Sequence, residues 1–77
     1  MSTNDDLEYD SIAIGKHITA LRKAKKLSMY QLALDAGISR TVLMHTEKGE
    51  REPRINTLLK IIDGLDMKPA EFFKPFV

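Results

Sequence analysis

The chain has no cysteine and no tryptophan. Without thiols there is neither a disulfide framework nor a thiolate-held metal, and two histidines, His17 and His45, are too few to hold zinc alone. No strictly apolar run exceeds four residues, far below the roughly 20 that a membrane span requires. The first residues are acidic, whereas a secretory leader carries a basic flank. A cytoplasmic protein without membrane contact is therefore expected. Paired carboxylates, a phosphate-binding glycine loop and metal-ligand spacing are also lacking. An enzyme would need a converging nucleophile, base and orienting group, so no catalytic residue, cofactor or metal site is assigned.

Seventy-seven residues suffice for one domain with a modest core. The near-neutral net charge of +1 hides an asymmetry: Asp5, Asp6, Glu8 and Asp10 fall in the first ten residues without one Lys or Arg. The remainder carries twelve basic against seven acidic residues, a balance that favours a polyanionic partner. Residues 1–9 lack periodicity and read as a flexible acidic arm, either inert or folded over the basic body; residues 10–77 form the domain.

Within the domain only helical patterns occur, so the fold class is all-α with five helices. Ile14, Ile18 and Leu21 define helix 1 over about 11–25. Ser28 and Gln31 fit a capping box opening helix 2, which runs through Asp35 and is closed by Gly37. Ser39 caps helix 3, which continues to about Lys48. After the loop-like KGEREPR stretch, Ile55, Leu58, Leu59, Ile62 and Leu65 mark helix 4, ending near Asp63-Gly64. Lys68-Pro69-Ala70-Glu71 starts helix 5, with Phe72 and Phe73 as its apolar weight.

Across helices 2 and 3, Leu32, Ala33, Ile38 and Leu43 supply core contacts, while small Ala36 and Gly37 allow a steep turn between the helices. That leaves Arg40, Thr41, Met44 and His45 on the outer face of helix 3, the set suited to a DNA major groove. Over roughly residues 12–73 the sequence resembles the lambda repressor and Cro (XRE-like) helix-turn-helix family. The resemblance rests on Leu32-Ala33, Gly37, Ser39-Arg40, Glu47, Gly49, Arg51, Pro53, Thr57-Leu58-Leu59 and Phe72-Phe73. Within that family the Arg40-Thr41 pair and the absence of an effector domain look most like restriction-modification controller proteins.

The resemblance implies a compact lambda-repressor-like domain that binds double-stranded DNA and regulates transcription, pairing as a homodimer on a palindromic operator. It assigns base reading to Arg40, Thr41, Met44 and His45. Arg40 is the leading candidate, because a guanidinium matches guanine O6 and N7. Arg51 and Arg54 are the main backbone-binding candidates, with Ser39, Asn56 and Thr57 beside them. Arg22 and Glu47 match a family salt bridge between helices 1 and 3. Two positions depart from the family: Met29 stands where a phosphate-binding glutamine is usual, and Arg54 where a Ser or Thr opens helix 4, leaving Asn56 to cap it. For the dimer interface the apolar C-terminal cluster offers Leu65, Met67, Phe73, Phe76 and Val77. A protein partner such as a toxin, with the chain as an autorepressing antitoxin, or RNA polymerase is the competing expectation.

Overall fold

The computed structural model describes residues 10–77; the predicted acidic arm lies outside them. Five helices follow one another: α1 (Ser11–Ala24), α2 (Met29–Ala36), α3 (Arg40–Glu47), α4 (Ile55–Gly64) and α5 (Pro69–Phe73), the last continued by a 3-10 turn at Lys74–Phe76. Each of the first three begins where a short polar side chain accepts a bond from an otherwise unpaired helix-start amide. Asp10 accepts from Ala13 N–H at 2.9 Å, Ser28 from Gln31 N–H at 3.0 Å and Ser39 from Val42 N–H at 3.1 Å. The capping box expected at Ser28 is only half formed, because the Gln31 amide donates forward to Asp35 at 2.8 Å. Gly37, at φ 71°, ends α2 and lets Ile38 N–H return to Ala33 O at 3.0 Å.

The core follows from which face each helix turns inward. Ile18, Leu32, Leu43, Ile61, Ile62, Leu65 and Phe72 are completely or almost completely buried. α1 lies against α3, α2 against both α3 and α4, and α5 against α4. Two corrections concern α4. Ile61, outside the expected apolar stripe, is in the core, whereas Ile55 and Leu59 are exposed. Apolar residues occur on most of this helix, so periodicity alone does not choose the inward side. The choice is made by the close approach of α4 to α2, where a β-carbon on Gly64 would sit 3.0 Å from that of Ala36.

A still closer approach joins α1 to α3. A β-carbon on Gly15 would fall 2.5 Å from the carbonyl oxygens of both Thr46 and Glu47. Those atoms belong to helix backbone and cannot swing aside as a side-chain tip can. Gly15→Ala is expected to lower unfolding free energy by about 2 kcal/mol, since the overpacking cost exceeds the roughly 1 kcal/mol of helix propensity gained. Urea unfolding monitored by circular dichroism checks this, and a stabilised variant would refute the rigid crossing.

Candidate nucleic-acid interface

A helix of eight residues needs tertiary support to hold a defined orientation. For α3 that support comes from its inner side. Leu43 is fully buried, and the Thr46 hydroxyl, also buried, donates to Val42 O at 2.8 Å. Glu47 accepts from Arg22 on both oxygens: Nε to Oε2 at 2.7 Å and Nη2 to Oε1 at 3.0 Å. Arg22 Nη1 donates to Leu27 O at 3.0 Å, and the Thr19 hydroxyl donates to Glu47 Oε1 at 2.9 Å. With side-chain exposures of only 12% and 4%, this pair is desolvated, a state tolerable only because every charged edge has a partner. Arg22 is thereby committed to the scaffold and is not available to DNA. Helical periodicity gives no signal for Thr19; its role emerges only once α3 is laid across α1.

With its inner side anchored, α3 leaves Arg40 and Thr41 exposed and Met44 and His45 half-buried. The four positions fall on one side of the helix, within reach of a single groove. Among the described residues Arg40, Arg51 and Arg54 form no ion pair. His45 is different: its Nδ1 donates to Glu50 at 2.8 Å. Sequence reasoning did not single out Glu50, although a carboxylate five residues beyond a helical histidine, in the turn that closes the helix, is the signal that could have.

Beside this face, an open cleft of about 460 Å³ runs between α3 and the start of α4. Val42, Thr46, Arg51, Glu52, Pro53, Arg54 and Thr57 line it. Arg51, Arg54 and Thr57 are therefore brought together, while Ser39 and Asn56 lie outside the cleft. Asn56 does not cap α4 as expected. The capping position is Arg54, which makes no side-chain bond to the helix start, and Asn56 sits inside the first turn. The first amides of α4 thus lack a side-chain acceptor and carry the positive end of the helix dipole beside Arg54. Met29, at the first position of α2, packs against the core, consistent with an apolar residue replacing a phosphate ligand there.

The apolar C-terminal cluster divides. Leu65 is completely buried in the chain's own core and has no surface left for a partner. Met67, Phe73 and Phe76 are half-buried, and Val77 is fully exposed. His17 of α1 faces this cluster: its Nε2 donates to Phe72 O at 2.8 Å, and its ring lies 4.6 Å from that of Phe72 and 5.2 Å from that of Phe76. The contact ties α1 to the C-terminal segment.

A short capped helix pair with a glycine turn, and a second helix held by a buried ion pair with its outer face free, define a helix-turn-helix unit. The helix-turn-helix family model HTH_3 matches residues 18–72, and the chain belongs to that family. An HTH-type transcriptional regulator of Mycobacterium tuberculosis is 33% identical over 63 residues, 82% of this chain and 25% of that protein. The immunity repressor protein of Bacillus phage phi105 is 33% identical over 57 residues, 74% of this chain and 40% of the repressor. The chain thus spans only a quarter to two-fifths of the length of these relatives. Solved structures match over more of their length. The restriction-modification controller protein C.AhdI from Aeromonas hydrophila superimposes with a TM-score of 0.77 at 33% identity, covering 82% of this chain and 96% of that one. The controller protein C.Esp1396I, as a tetramer with its natural 35 base-pair operator, gives 0.81 at 25% identity over 84% and 86%. Among the described residues no helix is long and apolar enough to cross a membrane.

Glu47→Ala is expected to cost about 3 kcal/mol, the low end for breaking a buried pair because Arg22 keeps slight solvent access. Thermal melting checks the value. A loss below about 1 kcal/mol would place the pair among weak surface bridges.

Proposed function

We propose that the chain is a cytoplasmic, sequence-specific transcriptional regulator of the restriction-modification controller type, which binds a palindromic DNA operator as a homodimer with α3 in the major groove. The observation that carries this reading is the anchoring of α3 from behind, which leaves Arg40, Thr41, Met44 and His45 outward. Arg40 donates two bonds to guanine O6 and N7, Thr41 offers a hydroxyl and a methyl, and Met44 supplies apolar contact, as to a thymine methyl. Arg51, Arg54 and the uncapped α4 amides take phosphate oxygens on the flanking strand, with Ser39, Asn56 and Thr57 as neutral donors. Similarity to C.AhdI and to operator-bound C.Esp1396I supports the controller assignment.

One such helix covers few base pairs, and two-fold pairing doubles the footprint. Met67, Phe73, Phe76 and Val77 form the dimer surface in this reading. Sedimentation at micromolar concentration should give a dimer. Val77→Asp should weaken it at least about tenfold with little change in helix content, since a charge would be desolvated on pairing. A monomeric native chain would overturn the dimer.

Selection of binding sites from random duplex DNA should enrich a palindrome, and Arg40→Ala should erase one guanine preference, worth about 1–3 kcal/mol. Arg51→Ala and Arg54→Ala should each weaken all sequences alike and reduce the salt dependence of log K by about one unit. Absence of enrichment with the native chain would refute operator reading and favour a protein partner.

A further inference from the structure

The chemistry of one groove-facing side chain is set from outside its helix. Glu50, in the turn after α3 and 54% exposed at its side chain, lies 2.8 Å from His45 Nδ1. The hydrogen bond from His45 holds the Glu50 carboxyl below its ordinary value; slight desolvation opposes this, and the Lys48 charge assists it. Near neutral pH an ionised carboxylate only accepts, so Nδ1 must carry the proton. In a neutral imidazole Nε2 is then a bare acceptor, and among the described residues no protein group bonds to it. A free histidine samples both tautomers, whereas this geometry selects one.

The choice of tautomer bears on base recognition because the major groove presents donors and acceptors separately. Adenine N6 and cytosine N4 offer amino donors, while guanine offers only the acceptors O6 and N7. We propose that Glu50 is a specificity-determining positioning residue. By holding the Nδ1–H of His45, it leaves Nε2 of the neutral ring an acceptor that selects an amino-bearing base. The inference rests on the operator-reading function proposed above and assigns part of its specificity to a residue outside α3.

Binding-site selection at mildly alkaline pH tests the proposal, with His45→Ala locating the base position concerned. The native chain should prefer adenine or cytosine there by about fivefold, the equivalent of one hydrogen bond. Glu50→Ala frees the ring and should reduce this preference below about twofold. Glu50→Gln keeps a hydrogen bond to His45, but its amide either accepts from Nδ1–H or donates to a bare Nδ1 and so does not fix the tautomer; it should lose the preference too, which a merely structural contact would not produce. Guanine at that position in the native chain, or full preference in Glu50→Ala or Glu50→Gln, would overturn the inference while an Arg40-dependent guanine elsewhere in the palindrome leaves operator reading intact. Absence of any enriched palindrome would overturn both. The near-isosteric Glu50→Gln remains decisive if Glu50→Ala does not fold.

Discussion

The Arg22–Glu47 pair is the constraint on which the rest of the arrangement depends. α3 is too short to be stable alone, and its outward residues have meaning only if its inner side is fixed. One carboxylate accomplishes this by accepting from Arg22 and Thr19 of α1 while Arg22 also closes on the carbonyl of Leu27. The network therefore joins α1, the turn before α2, and α3 at one buried point. Gly15 permits the backbone approach that brings these groups within bonding distance. The same proximity makes the pair costly to break, since either partner left alone would be a nearly buried charge.

A second junction lies at the opposite end of the chain. Phe72 fills the core, and His17 of α1 bonds to its carbonyl while its ring packs tilted against Phe72 and edge-on against Phe76. The five-residue α5 is held in this way against α4 and α1. Leu65 and Phe72 are used internally, which leaves the half-buried Met67 and Phe73 at the margin of the core and Val77 outside it. The surface available for pairing is thus what remains after the core is filled, and it is smaller than the apolar content of residues 65–77 suggests.

Helix placement was largely legible because caps and stops are local. Ser28 and Ser39 accept from amides three residues on, Gly37 turns the chain so that backbone N–H groups close on the carbonyls of α2, and these positions nearly settle where α2 and α3 begin and end. The inward side of α4 was not legible. Ile55 and Leu59 are as apolar as Leu58 and Ile61, and only packing against α2 separates the exposed from the buried. Capping of α4 was misjudged for a related reason: Arg54 occupies the capping position through its backbone conformation, whatever its side chain prefers. The candidate site was legible where it depends on helix face, which sets Arg40, Thr41, Met44 and His45 outward. It was not where a residue acts across a turn, as Glu50 does on His45.

The sequence by itself determined an all-α chain with a basic body, the order of five helices, and a small-residue turn between α2 and α3. These follow from periodicity, composition and capping, which act over a few residues. The tertiary structure decided which side chains remain free to meet a partner. It committed Arg22, Leu65 and His17 to the scaffold, gathered Arg51, Arg54 and Thr57 around one cleft, and placed a carboxylate against His45. Those outcomes depend on distances between segments far apart in the chain or across a turn. They are settled by competition for burial and hydrogen-bond partners, which local pattern does not specify.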